Sequence, residues 1–360
     1  MSRLRPSHRL RPAALLAAFV AVAGLLALAA GAARSAVSAL SWEPLGFAGY
    51  EFTTLASPPG NPCVVAWTGL NNGGLGVSTD CGVQYARLFL PSAHDVTAQN
   101  ENIGYVAAGT LGMVKTIDTG TNWYPINDGL PTSGRDARAV ILHVAKPESV
   151  FCALYGGGVF LGGPKAALND TIRWQGMNAG LTDLRVRALA RVRGGTFLVA
   201  GTEAGIERWA NGGWTLVAPG VIANALVIDA GDSSLVYAAT EGGVYRSTNQ
   251  GLSWFPASTG LPAVPVNDVA KRGDGPPVLY AGTRGQGVWE SVNGGANWRK
   301  FGPDLPGDND VRAVLCTVGA AAVDSAMVFA GTRADGLFRA EYSTPAAATS
   351  WGRIKGTYRR

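Results

Sequence analysis

Residues 279–298 read LYAGTRGQGVWESVNGGANW, and residues 236–254 read VYAATEGGVYRSTNQGLSW. Each is a short apolar strand, a glycine-rich turn, a second strand, and a polar turn closed by tryptophan. The residue ending the first strand marks the register along the whole chain. Thr68, Thr110, Tyr155, Thr202, Thr240, Thr283 and Thr332 hold that place, at spacings of 38 to 49 residues. A period of that size belongs to repeat architectures, in which each unit buries its apolar face only against its neighbours.

Each window contains runs of four to six apolar, β-branched or aromatic residues separated by Gly, Asn, Asp or Pro, the pattern of short strands and tight turns. No window holds a helix-period stretch. In the sixth copy the expected strands are Val264–Ala270, Val278–Gly282, Gly287–Ser291 and Asn297–Phe301. Four antiparallel strands in about 43 residues make one propeller blade. Trp42 to Tyr342 is 301 residues, room for seven such units. The expected fold class is therefore all-β, a seven-bladed β-propeller of four-stranded antiparallel blades, spanning 39–345 as one domain.

The turn between the third and fourth strands recurs as Ser78-Thr-Asp80-Cys-Gly82-Val-Gln-Tyr85 and Thr116-Ile-Asp118-Thr-Gly120-Thr-Asn-Trp123. Later copies are Ser247-Thr-Asn249-Gln-Gly251-Leu-Ser-Trp254 and Ser291-Val-Asn293-Gly-Gly295-Ala-Asn-Trp298. It resembles the Asp-box, Ser-x-Asp-x-Gly-x-x-Trp, of BNR-repeat propellers. These include sialidases, xyloglucan-cleaving hydrolases, the sortilin ectodomain and the photosystem II stability/assembly factor; WD40/YVTN-like repeats share the architecture. The short Asx side chain bonds its own turn and Gly takes the positive-φ place. Asn replaces Asp in two copies, which suits turn formation and not acid–base work. The motif indicates fold, and function must be argued from a site.

The copies decay. Blade four shortens the turn to Asn211-Gly-Gly213-Trp214, blade three replaces it with 161–174, and blade seven has Glu341-Tyr342 there. The segment around Trp42 resembles an outer strand and is expected to close the ring; Trp351 competes for that role.

Residues 1–38 read as a signal peptide or an N-terminal membrane anchor. Arg3, Arg5, Arg9 and Arg11 precede 21 uncharged residues, Ala13–Ala33, longer than a usual signal core of ~7–15 and close to a span of ~20. Either reading places the propeller outside the cytoplasm, as a secreted, periplasmic or cell-surface protein. Residues 1–33 carry four of the net +5 charges, and the basic tail 346–360 another four. The body between them is mildly acidic, which argues against nucleic-acid binding. Export permits a disulfide, and Cys63 and Cys81 flank one hairpin at matching distances. Cys152 and Cys316 read as small core residues, and His143 as a core histidine. No zinc spacing, EF-hand, Gly-x-Ser-x-Gly elbow or phosphate loop is present, so no metal and no cofactor is expected.

The functional candidates precede the inner strands, where loops converge on one mouth of the central channel. They are Asp95, Asp136, Arg138, Asp183, Arg185, Asp268, Asp310 and Arg312, alongside His94, Arg187, Asn267 and Asn309. Convergent polar groups at a channel mouth mark a binding site. In the competing reading each Asp locks its own loop or the next blade. Two functions follow. The single seven-bladed unit and the leader resemble the photosystem II stability/assembly factor family, which implies a non-catalytic module, monomeric, that holds a protein partner. The alternative is a glycoside hydrolase acting on extracellular polysaccharide, which needs two carboxylates ~5–9.5 Å apart; Asp136, Asp183 and Asp310 are its candidates. Against it, the Phe-Arg-Ile-Pro peptide of sialidases is absent and the rim loops are short.

Overall fold

A computed structural model describes residues 40–58, 64–70, 74–81, 84–88, 92–100, 102–143, 149–165, 168–191, 197–272, 277–307, 309–318 and 325–343. The leader and the tail lie outside them. Among the described residues, seven four-stranded antiparallel sheets follow one another along the chain. Blade 6 is typical: Val266–Lys271, Leu279–Thr283, Gly287–Ser291 and Arg299–Lys300. Its outer strand is shorter than the sequence suggests because Asn297 still belongs to the turn, where its N–H bonds Asn293 Oδ1 at 2.9 Å.

The seven inner strands are Glu51–Ala56, Asp95–Ala98, Ala137–Leu142, Val186–Arg191, Ala223–Ile228, Val266–Lys271 and Val311–Val318. Each packs on the next, and the last packs on the first, so they form a ring. The second strands are the driest: Val236–Thr240 and Leu279–Thr283 are buried throughout. Seven apolar clusters fill the wedges between blades.

Glu43–Gly46 closes the ring. It pairs antiparallel with the third strand of blade 7, with Glu43 opposite Arg339. The competing Trp351 lies outside the described residues. The threonine register holds in blades 4 to 7, where the hydroxyls of Thr202, Thr240, Thr283 and Thr332 donate to the carbonyls of Gly205, Gly243, Gly287 and Gly336. It slips elsewhere. Gly69, Ala108 and Leu154 hold the equivalent places, so Thr68, Thr110 and Tyr155 are displaced by one or two residues.

The polar turns share one bonding scheme. In blade 2, Thr116 Oγ1 donates to Asp118 Oδ1 (2.9 Å) and accepts Gly120 N–H (3.0 Å), while Asp118 Oδ1 accepts Asn122 N–H (2.8 Å). Blade 5 repeats this with Asn249 Oδ1. Oδ1 makes the main-chain bonds in both turns. The other atom changes with its partner, Asp118 Oδ2 accepting from Asn122 Nδ2 (2.7 Å) and Asn249 Nδ2 donating to Ser253 Oγ (2.9 Å), so Asn substitutes for Asp. The tryptophans divide into two groups. Trp123 and Trp254 donate Nε1–H to their own turn. Trp174, Trp214 and Trp298 donate to the preceding blade, at Ile126, Met177 and Ala257.

A stitch between blades was not expected. Three residues after the glycine at the entry to a third strand (Gly205, Gly243 or Gly336) stands Arg208, Arg246 or Arg339, in blades 4, 5 and 7. Each donates to a main-chain carbonyl in the next blade's polar turn: Gln250 (2.8 Å), Gly294 (2.9 Å) and Cys81 (2.6 Å). Those acceptor residues all have positive φ.

Cys81 is disulfide-bonded; Cys63, its expected partner, lies outside the described residues, as does Gly82. Cys152 and Cys316 are free, and burial pushes the Cys316 thiol up to about 12. His143 stacks on Phe151 with ring centroids 5.4 Å apart.

Candidate functional site at the channel mouth

The inner strands surround a cavity of about 700 Å³, to which all seven contribute. In six blades the inner strand carries a bulge at its second position, or its third in blade 1, where the register shifts past one residue. A bulge turns that side chain away from the regular alternation. The bulged residues are Thr53, Arg138, Arg187, Asn224, Asn267 and Arg312, and His94 occupies the same place in blade 2. Each follows a buried apolar residue: Phe52, Ala93, Ala137, Val186, Ala223, Val266 or Val311.

The seven residues fall into two classes. In blades 1, 5 and 6 the bulged side chain bonds across to the next blade. Thr53 Oγ1 donates to Ala93 O (2.9 Å), Asn224 Nδ2 to Val266 O (3.1 Å) and Asn267 Nδ2 to Val311 O (2.8 Å). In blades 2, 3, 4 and 7 the residue is His94 or an arginine; all seven residues line the cavity.

Every one of these arginines has an acid beside it. Arg138 donates to Asp136 Oδ2 through Nε (3.0 Å) and Nη2 (2.6 Å). Arg187 Nε reaches Glu203 Oε1 at 2.6 Å, and Tyr155 O–H donates to the same oxygen at 3.0 Å. Arg312 lies 3.1 Å from Asp310 and 4.0 Å from Glu51. The Arg138 guanidinium also sits 5.3 Å from the Tyr155 ring centroid, a cation–π contact.

Of the sequence candidates, Asp95, Arg138, Asp268 and Arg312 line the cavity. Asp136 and Asp310 stand behind their arginines. Asp183 and Arg185 pair with each other at 2.6 Å, outside the lining. Hydrogen bonds from Arg185 hold the Asp183 carboxyl below its ordinary range.

Asp95 and Asp268 join blades. Asp95 Oδ1 accepts its neighbour Val96 N–H, and Oδ2 accepts Val140 N–H from blade 3, both at 2.8 Å. Asp268 does the same with Val269 and with Val314 of blade 7. Burial pushes Asp95 up to about 7 and Asp268 up to about 6. His94 moves the other way, to about 4, through burial and the Arg138 charge.

Tyr155, Glu203 and the buried Glu207 were not among the site candidates drawn from the sequence. Glu207 accepts N–H (3.0 Å) and Oγ1–H (2.9 Å) from Thr182 and so fixes the loop carrying Asp183. Nothing local marks Glu207, whose role depends on the loop folding over it. Among the described residues no group of three His, Cys, Asp or Glu side chains could hold a metal ion.

No protein-family model matches the chain, and no curated protein matches it. Solved structures do. YCF48 from Cyanidioschyzon merolae superposes with a TM-score of 0.59 at 15% identity, covering 84% of this chain and 98% of that one. YCF48 bound to D1 peptide gives 0.57 at 16% identity, with 86% and 98% covered. The GH74 enzyme of Niastella koreensis gives 0.59 at 17% identity; the match covers 84% of this chain but 44% of the enzyme. At these identities the likeness shows a shared propeller fold.

Proposed function

We propose that the chain is an exported, non-catalytic propeller that holds an extended segment of another protein at the channel mouth, over blades 2 to 4. One observation carries this reading. The bulged residues of all seven blades line the cavity, but those of blades 1, 5 and 6 bond the next blade's main chain, whereas His94, Arg138 and Arg187 form a consecutive run of larger side chains that bond Ser92, Asp136 and Glu203 of their own blades. Leu111 and Leu184, each 43% exposed, belong to blade 2 and to the loop entering blade 4. A protein segment supplies both apolar and polar contacts to such a surface. The peptide-bound YCF48 structure supports this use of the fold. Export rests on the leader: a basic start followed by a long apolar run.

The glycosidase alternative, suggested by the GH74 likeness, has the weaker site. Asp136, Asp183 and Asp310 are each committed to an ion pair with the arginine two residues on, and the hydrogen bonds from Arg185 hold the Asp183 carboxyl below its ordinary range, which unsuits it as a general acid.

Residues 39–360 bearing Arg138→Glu and Arg187→Glu are expected to lose crosslinked capture of the envelope partner while keeping the circular dichroism of the parent. Undiminished capture would remove the mouth from the binding reading. The parent is expected to release no reducing ends from an oligosaccharide panel; turnover that Asp136→Asn abolishes would make it a glycosidase.

A further inference from the structure

Behind Arg138, between blades 2 and 3, a buried acceptor has no donor. Asp136 Oδ2 is occupied by two N–H groups of Arg138, but the buried Oδ1 has no hydrogen-bond partner. Roughly nine in ten buried polar groups in folded proteins are paired, so this oxygen calls for a donor. It faces His94 Nε2 at 4.0 Å, too far for a direct bond. Ser92 Oγ lies 3.1 Å from the same ring nitrogen. In either imidazole tautomer the Ser92 oxygen keeps an acceptor lone pair. Gly109 walls the gap: at φ +55° a Cβ there would come within 2.8 Å of Ser92 Oγ and 3.3 Å of His94 Nε2.

We propose that Ser92, His94, Gly109 and Asp136 form a subsite for a primary carboxamide, the side-chain end of a glutamine or asparagine in the bound segment. The proposal rests on the reading of the mouth as a site for a protein segment. A nitrogen about 2.9 Å from each of Asp136 Oδ1 and His94 Nε2 spans the gap at ordinary hydrogen-bond length. A carboxamide nitrogen brings two N–H donors. One goes to Asp136 Oδ1 and the other to the Ser92–His94 pair. The carboxamide oxygen accepts, which suits the Arg138 N–H groups that Asp136 leaves over.

The charge of the site selects a neutral donor. An ammonium would gain the Asp136 carboxylate but would lose its hydration and meet the guanidinium of Arg138. For His94 the last two outweigh Asp136 and hold it to about 4, uncharged. A carboxylate would meet Asp136. A hydroxyl has a single proton and serves only one of the acceptors.

The test uses the full chain, whose three histidines are His8, His94 and His143, and reads the imidazole nitrogens by NMR. Acetamide is expected to shift the His94 resonances and leave His143 in place. N,N-Dimethylacetamide, which lacks N–H, and methylammonium are expected to shift neither. Asp136→Leu removes the acceptor and Gly109→Ala fills the gap; each is expected to abolish the acetamide response, with His143 reporting that the fold persists. A matching response to dimethylacetamide, a response to methylammonium, or an acetamide response surviving both substitutions would overturn the subsite. A flat titration would also overturn it. The mouth reading would then stand or fall separately, on whether Arg138→Glu still abolishes partner capture.

Discussion

Asp95 shows how a residue legible as functional becomes structural. In sequence it is an acid at the start of a strand, gathered with others around one opening. In the ring its two oxygens take main-chain N–H groups from consecutive blades, and Asp268 repeats the arrangement four blades on. The acid is visible in the chain; its partner Val140 is not, because that N–H belongs to the next blade, 45 residues on. Asp95→Asn is therefore expected to destabilise. An amide presents one oxygen and one N–H group, so either Val96 or Val140 loses its acceptor, at a cost of about 1–3 kcal/mol. Urea unfolding measures this, and an unchanged midpoint would show that the clamp contributes nothing.

At the scale of the element, blades differ in whether they are stitched, and the difference follows from the neighbour. Arg208, Arg246 and Arg339 reach blades 5, 6 and 1, each of which has the polar turn with its outward carbonyl. Lys115, Leu161 and Glu290 hold the same strand position ahead of blades 3, 4 and 7, where that turn is absent or shortened. Val77 is the exception: it precedes blade 2, whose Thr119 has the positive φ of the other acceptors. Val77→Arg should add the missing stitch and raise stability, while Arg246→Met should lower it, each by about 0.5–1.5 kcal/mol. Thermal unfolding of the two variants would read opposite signs; a loss in both would show that the position tolerates only what it has. The turns were legible because their Ser, Asx and Gly residues bond locally, within four residues. The stitch was not, since it joins residues 42 or more positions apart, and an isolated arginine in a strand gives no sign of its partner.

The seven described blades form a closed ring, and closure makes its stability depend on groups that face the channel. The repeat period made the ring predictable. Which segment closes it depended on a short pairing between Glu43–Gly46 and the strand of Arg339, too weak a pattern to prefer over Trp351 by sequence. Three channel groups then set a pH dependence. Asp95 and Asp268 hold their protons to about 7 and about 6 in the fold, against 3.8 for an ordinary aspartate. Their contribution is complete below the ordinary value and is lost as pH rises through the folded values. His94 acts in reverse: its contribution is present above 6.5 and is lost as pH falls toward about 4. From about pH 8 down to 6.5 only the aspartates bind protons on folding, so stability rises as pH falls. From 6 to 4 two aspartates oppose one histidine, and the rise continues. The melting temperature is thus expected to climb from about pH 8 to about pH 5. Asp95→Asn with Asp268→Asn should flatten the climb, and His94→Gln should steepen its acidic half. A parent whose melting temperature falls on acidification from pH 8 to 6.5, or a double variant with the parent's slope, would show that these carboxyls do not govern the ring.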